Sequence, residues 1–373
     1  MSRKLGIFSF FTGAGFLDLG FENAGFQSLM ANEIDDSFSE VYRYSRQAMQ
    51  LPMPKYGLQT GDICAYLNDT LKKRDLAQKV RNARKERFLV GFIGGPPCPD
   101  FSVAGKQAGA TGKNGRLSQV YTDLICQHCP DFFVFENVKG LWKTAKHRAF
   151  FDSIVKQLQS HGYAVDYRLI NALEYGAPQD RERIILIGVK ARLCRGHVDA
   201  KTHRLVEFPW TRFMKYDLNA VKMINWPLAE EFRLSGTRPM PVDIIPELTV
   251  EYWFEKNEVD RHPNSTDFFL PRAGLAKMQV IAEGDDSKKC FKRLHRWRYS
   301  PTAAYGNNEV HLHPYKARRL SVAEALAIQS LPKKFCLPPG ISLSAKFKTI
   351  GNGVPYVAAL GIAKTLNKFL SEL

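Results

Sequence analysis

The sequence contains no run of apolar residues close to the roughly 20 that a membrane-crossing helix needs. Its amino terminus enters a strand-like stretch, Leu5 to Phe10, with no apolar signal core or cleavage site ahead of it. Membrane insertion and export are therefore not expected, and the cytoplasm is the expected compartment. Cysteine is scarce: the seven, an odd number, are scattered at Cys64, Cys98, Cys126, Cys129, Cys194, Cys290 and Cys336. That pattern speaks against a disulfide framework and for reduced thiols, any of which can serve as a working thiolate. Cys126 and Cys129 make a single CxxC, but no second pair stands at zinc-ribbon spacing and the stretch reads as helix, so no metal site is expected. Internal repeats and low-complexity tracts are missing too. Acidic residues are the last shortage, since 37 Asp and Glu face 53 Lys and Arg for a net charge of +16. A polyanionic partner is the usual physical reason to tolerate such self-repulsion, with nucleic acid the leading candidate and a generally basic surface the alternative.

What is present is enough apolar residue, 45% of 373, to bury a large core and to build a two-part enzyme. In the first half, Leu5–Phe10, Phe26–Ile34, Phe88–Gly95, Phe132–Val138 and Arg183–Val189 read as strands, with amphipathic helical stretches between most of them. This alternation predicts an α/β fold, a mostly parallel sheet wound by helices on both faces. Ala164–Ile170 and Arg183–Val189 are joined without a helix, so one of that pair is expected to run antiparallel. Beyond Val189 the rhythm is lost in a stretch rich in aromatics, prolines and basic residues. Helical periodicity returns at Ser321, where Ser321 and Glu324 make a capping box, and a last helix starts near Pro355. The expected organisation is a catalytic domain of residues 1–190 and 318–373 with a smaller, irregular domain, 191–317, inserted. One basic stretch, Leu71 to Arg87, has apolar positions too sparse for a core helix and reads as a solvated surface helix ahead of a DNA-contacting one.

Directly after the first strand, Phe11-Thr12-Gly13-Ala14-Gly15-Phe16 puts two glycines where the chain must turn sharply and let a ligand approach the backbone. The third glycine of the dinucleotide fingerprint is absent, which removes the pyrophosphate seat that NAD would need. Glu33, at the end of the second strand, stands where a carboxylate accepts hydrogen bonds from both ribose hydroxyls of an adenosine. Asp62, after a third strand and before Ile63, is placed to accept from the adenine amino group. In series these acids specify an adenosine pocket, and S-adenosylmethionine fits it better than NAD.

The fourth strand ends in Gly94-Gly95-Pro96-Pro97-Cys98, a thiol at the carboxyl edge of the sheet with prolines fixing the backbone on both sides of it. The fifth ends in Glu136-Asn137-Val138, so a glutamate emerges at the same edge. Gln179-Asp180-Arg181-Glu182-Arg183 adds two arginines that face one way on an extended segment. Gly-Gly-Pro-Pro-Cys, Glu-Asn-Val and Gln-x-Arg-x-Arg in this order make the chain resemble the DNA cytosine-5 methyltransferase family. Phe-x-Gly-x-Gly at Phe11, Arg319-Leu320-Ser321, and Gly351-Asn352-Gly353-Val354-Pro355 also match, leaving only the middle domain unmatched. Two departures stand out: Pro99 where many members have glutamine, and Phe16 in place of a glycine common in the first motif.

The resemblance implies a Rossmann-like S-adenosylmethionine-dependent methyltransferase fold with an inserted target recognition domain, acting on double-stranded DNA without a metal. Cys98 would add to carbon 6 of cytosine, because carbon 5 is too weak a nucleophile until the ring becomes an enamine. Glu136 would hydrogen-bond ring nitrogen 3 and the exocyclic amine, for which it must carry a proton. Arg183 would reach the carbonyl oxygen of the base, while Arg181 organises the site or binds a phosphate. Around the cofactor the resemblance places Phe11, Gly13, Gly15, Glu33, Ile34, Asp62, Ile63, Pro97, Leu117 and the turn Asn352 to Val354. The run from Cys98 to about Ser118, with glycines at 105, 109, 112 and 115, looks like the family's mobile loop over a flipped base. In the middle domain, Lys288 to Arg298 mixes basic and aromatic residues as phosphate or base contacts would. The chain is similar to compact prokaryotic or phage enzymes, monomers that are often companions of a restriction endonuclease. A tRNA methyltransferase is the alternative, of whose Cys-Phe-Thr the segment Cys290-Phe291-Lys292 is a partial echo, and a non-catalytic DNA-binding protein is a second.

Overall fold

The computed structural model describes residues 4–97, 115–271, 274–288, 290–303, 305 and 310–373, the side chain of Lys146 apart. Seven runs rich in aromatic and branched residues pair into one sheet: β1 (Lys4–Phe10), β2 (Gln27–Glu33), β3 (Leu58–Thr60), β4 (Phe88–Gly94), β5 (Phe132–Val138), β6 (Tyr163–Asn171) and β7 (Glu182–Lys190). Their order is β3-β2-β1-β4-β5-β7-β6. Neighbours from β3 to β5 are parallel, and β7 runs antiparallel to both β5 and β6. The reversal has a simple cause: β6 and β7 are linked by a short 3-10 turn, Ala172–Tyr175, which is too little chain to carry a strand back across the sheet.

Helices cover both faces because the sheet's side chains alternate between two apolar layers. On one face lie α1 (Phe16–Asn23) and the last helix, Tyr356–Ser371, whose Ala358, Ala359, Ile362, Ala363 and Leu366 form a continuous buried stripe. α2 (Asp36–Ala48) follows β2 and is capped by Asp35. On the other face lie α4 (Thr70–Lys85), preceded by the single turn α3 (Ala65–Asn68), then α5 (Gly115–His128), the short α6 (Lys139–Lys143) and α7 (Ala145–Ser160). The basic stretch does form a helix, and Leu76, Val80 and Ala83 give it a narrow buried stripe, so it is anchored to the sheet and not merely solvated. α5 begins at Gly115, so the expected mobile loop is already helical at Ser118; its remainder, 98–114, lies outside the described residues.

The middle of the chain holds α8 (Leu218–Met223), α9 (Val250–Lys256), α10 (Leu275–Val280) and the two-residue strands β8 (Lys292–Arg293) and β9 (His311–Leu312). α11 (Val322–Ile328), α12 (Leu343–Asn352) and α13, the Tyr356–Ser371 helix, complete the fold. The capping box of α11 is formed: Ser321 Oγ accepts from Glu324 N at 3.2 Å, and Glu324 accepts from Ser321 N at 2.8 Å. Residues 194–210 belong to the sheet's own core and not to the irregular segment, because Cys194, Leu205, Phe208 and Trp210 pack with β5–β7. Trp210 and Arg204 both donate to Asp166 on β6, and Arg204 bridges to Val165, so this run shields the sheet's outer strand. No helix among the described residues is long and apolar enough to cross a membrane.

The first and last helices of the fold approach so closely that Gly20 of α1 has no room for a side chain. A Cβ there would lie 2.6 Å from Ala359 Cβ and 2.7 Å from Leu360 N. Gly20→Ala should therefore force α1 and α13 apart and lower unfolding free energy by about 1–3 kcal/mol, read from urea denaturation.

Candidate active site

The carboxyl ends of β1 and β4, where strand order reverses, are where ligands seat in open α/β sheets. The loop leaving β1 is held in an unusual backbone shape: Phe11, Gly13 and Gly15 all have positive φ, 54°, 56° and 82°. Gly15 cannot be replaced, since a Cβ would meet the Tyr42 ring at 2.7 Å. Glu33 closes the loop from β2. Its Oε2 accepts from Gly13 N at 2.7 Å, and its Oε1 accepts from Ile34 N and Asp35 N, both at 2.9 Å. Oε2, with one donor, retains acceptor capacity. Burial pushes the Glu33 carboxyl up from its ordinary value, opposed by these three N–H donors.

A residue the motif reading passed over braces this loop from below. Asp18, wholly buried, accepts from Ser9 Oγ and Thr12 Oγ1, both at 2.6 Å, and from Tyr42 OH at 3.2 Å. Burial raises its pKa, while the hydroxyls and Arg46 oppose the shift. Arg46 in turn makes a bidentate pair with Glu22. The available signal was Asp18 at the third position of an apolar helix, a charge that needs partners if it faces inward.

The rest of the expected cofactor surroundings divides in two. Ile34 is 63% exposed, Asp62 is exposed with Oδ1 engaged by Cys64 N at 2.9 Å, and Pro97 and Asn352 are exposed as well. Leu117 is half-buried against the α5 side of the core. Ile63 differs from expectation: its side chain is buried among the core residues beneath the sheet, so only its backbone can face a ligand. Val354 is likewise buried with α13, and Gly353 lies against the Phe16 ring where any Cβ would clash. That contact explains how Phe16 is accommodated: it stacks over the Gly353 backbone and meets Phe335 edge-on at 5.2 Å.

On the catalytic side, Glu136 is fixed by register. β5 pairs with β7 so that Glu136 stands opposite Ile185 and Val138 opposite Arg183. Arg183 Nε reaches Glu136 Oε1 at 2.9 Å. Gly95 lies directly against the same carboxylate, where a Cβ would come within 2.5 Å of Oε2. Asn137 completes the link by donating to Pro96 O at 3.4 Å. The run ending in Cys98 is thus tied to Glu136 through the two residues before Pro97, although Cys98 itself lies outside the described residues. Burial pushes the Glu136 carboxyl up, and the guanidinium groups of Arg183 and Arg181 only partly offset that.

Arg181 does something different from Arg183. It is buried at 1% exposure and donates to Ala303 O at 3.1 Å, Gly351 O at 2.8 Å and Gln179 Oε1 at 3.4 Å. Such a side chain has no access to a phosphate or a base, so the structure places it as a positioning residue and not a catalytic one. Burial and the repulsion of Arg183 push its proton affinity down. Around it, Asp180 N donates to Ser300 O, Ser300 N to Pro178 O, Thr302 Oγ1 to Asp180 O and Ala303 N to Gln179 Oε1.

The centre of the expected contact stretch Lys288 to Arg298, residues 293–296, is buried, while Lys288 is exposed and Lys292 and Arg298 are partly so. Arg293 is fully buried and donates to the carbonyls of Ile281, Met278, His313 and Lys316. Arg296 is paired twice with buried Glu283, at 2.8 and 3.0 Å, and His295 is also buried. The segment closes this part of its core with charge-assisted bonds, leaving Arg293 and Arg296 unavailable to phosphates. Among the described residues no cluster of His, Cys, Asp or Glu could hold a metal ion, and Cys129 Sγ donates to Cys126 O.

The family described as C-5 cytosine-specific DNA methylase matches residues 5–368. The chain is 57% identical over 372 residues to the Type II methyltransferase M.NmeDI of Neisseria meningitidis serogroup C, covering 99% of this chain and 85% of that protein. It is 30% identical over 376 residues to the Type II methyltransferase M.FnuDI of Fusobacterium nucleatum, covering 98% and 95%. Among solved structures, the fold is shared with the Dnmt2 methyltransferase of Schizosaccharomyces pombe, with TM-score 0.58, 13% identity, and 98% and 99% coverage.

The two arginines should separate in mutagenesis. Arg181→Ala strips buried carbonyls of their donor and should lower stability by about 3 kcal/mol. Arg183→Ala leaves Glu136 without its cation, a loss the carboxyl relieves by taking up a proton, so its cost in the same thermal or urea measurement should be smaller at low pH and grow as pH rises, whereas the Arg181→Ala loss should not.

Proposed function

This chain belongs to the C-5 cytosine-specific DNA methylase family and methylates carbon 5 of cytosine in DNA, and we propose that it does so through a covalent adduct between Cys98 and carbon 6 of a cytosine turned out of the duplex. The observation that carries this reading is the buried Glu136 carboxyl, joined to Arg183 and packed against Gly95 three residues before the thiol. S-adenosylmethionine, the methyl donor of the family, supplies an electrophilic methyl group when bound. The loop Phe11–Gly15, Glu33, exposed Ile34 and Asp62, with Pro97, Leu117 and the Asn352–Val354 turn, would hold it. The fit rests on one carboxylate with acceptor capacity left beside an exposed apolar side chain, as a ribose and an adenine require.

Cys98 attacks carbon 6 as thiolate, and the displaced electron pair moves through the ring to make carbon 5 nucleophilic. Glu136 holds a proton at ring nitrogen 3 and accepts from the exocyclic amine, so it neutralises the charge that attack creates and rejects thymine, which presents the opposite pattern. Arg183 leaves its resting ion pair to bind the carbonyl oxygen of the base. Loss of the carbon 5 proton then expels the thiolate and restores the aromatic ring. The middle segment reads the surrounding sequence, and the Type II relatives suggest that a restriction endonuclease of the same specificity is the companion.

DNA carrying 5-fluorocytosine at the target should trap the wild-type protein covalently, because fluorine cannot leave as a proton does, and Cys98→Ser should give no adduct. Radiolabel from S-adenosylmethionine should enter duplex DNA and not tRNA; label in tRNA alone would overturn the reading. Glu136→Gln should slow methyl transfer about 10²–10⁴-fold. The pH dependence has a definite sign. The folded carboxyl holds its proton above the ordinary range, so single-turnover rates fall as pH rises through that raised value. Removing the opposing cation by Arg183→Ala raises it further, and the descending limb should move to higher pH in that variant.

A further inference from the structure

With Arg293 and Arg296 spent inside the middle segment, the charge surplus of the chain must be carried elsewhere. α4 carries much of it, with seven lysines and arginines against one acid, Asp75. Its buried stripe, Leu76, Val80 and Ala83, fixes which side faces out. Directly opposite, Arg74, Gln78, Arg81 and Lys85 recur at i, i+4, i+7 and i+11 and are all exposed. Among the described residues none of Arg74, Arg81 and Lys85 has an acidic partner, and Arg81 bonds only Gln78, at 2.7 Å. The neighbouring acids are already neutralised, Asp75 by Lys79 and Glu86 by Lys55. The result is a straight cationic ridge about 16 Å long. α4 starts after β3, at the sheet edge that bears Asp62, and runs toward the opposite edge ahead of β4.

We propose that this ridge is a second DNA-binding surface, which grips the phosphate backbone outside the recognition sequence and holds the enzyme on long duplexes. The proposal rests on DNA being the substrate and adds a contact that takes no part in the chemistry. Duplex DNA carries one negative charge per roughly 1.7 Å of axis, so three cations along the ridge face several phosphates wherever the protein stands on it. No base is read, and the contact is independent of sequence.

The test compares wild type with Arg74→Glu/Arg81→Glu/Lys85→Glu, and with the milder triple Gln variant in case charge reversal impairs folding. Binding of each to a 60-bp mixed-sequence duplex is measured by fluorescence anisotropy between 50 and 200 mM salt. Affinity should fall tenfold or more in the Glu variant, and the slope of log K against log salt should shrink by about 2–3. Methyl transfer to a short duplex bearing only the target site should keep its wild-type kcat. An unchanged slope would overturn the proposal, and so would an unchanged affinity for the 60-bp duplex. If wild type transferred no methyl group to DNA while the slopes still differed, the enzymatic reading would fail and the ridge would stand.

Discussion

A guanidinium buried without a carboxylate bonded to it sits at the junction on which the active site depends. Among the described residues Arg181 donates to carbonyl oxygens alone, its Nε finding no partner, and those carbonyls come from three parts of the chain: the β6–β7 connection, the far end of the middle segment and the last turn of α12. Taking a cation out of water is expensive, so the arrangement persists only if all three parts are in place together. The consequence is that the chain entering β7 is tied to both the middle segment and α12 just two residues before Arg183, which the β5–β7 register sets beside Glu136.

The cofactor loop follows the same logic with the sign reversed. Asp18 is a buried anion that collects three hydroxyls, and those hydroxyls fix a loop in which three residues adopt left-handed backbone angles. A loop of that shape would be costly if it stood alone. Here a carboxylate below and the Glu33 carboxylate above clamp it, so the cost falls on the scaffold and not on the ligand.

Much of this was legible in the sequence, and the reasons are physical. Strands announce themselves by runs such as Phe132–Val138, and the missing helix between Ala164–Ile170 and Arg183–Val189 gave away the antiparallel strand. Motifs at strand ends pointed to the correct sheet edge. The resemblance separated the two arginines of one motif, but whether Arg181 organises the site or binds a phosphate was not legible locally, because it depends on the remote carbonyls of Ala303 and Gly351. The same limit applies to Arg293 and Arg296 within Lys288 to Arg298: basic residues look alike whether they face phosphates or, as these two do, Glu283 and backbone oxygens. Ile63 turned inward and residues 194–210 joined the sheet for a related reason, since which surface an apolar side chain covers is decided by partners far along the chain.

The middle segment stands on two feet placed side by side. Near its beginning, Lys215 N and Tyr216 N both donate to Glu174 O, and near its end Ser300 exchanges hydrogen bonds with Pro178 and Asp180. Both anchor points lie on the β6–β7 connection. Those are not its only attachments, since Asn257, His262 and Asn264 bond the carbonyls of Leu331, Phe335 and Leu337 between α11 and α12, and Lys346 of α12 pairs with Asp267. A change inside the segment is therefore felt along two lines at once, through the β6–β7 connection beside Arg183 and through the chain leading into α12, whose Gly351 carbonyl holds Arg181.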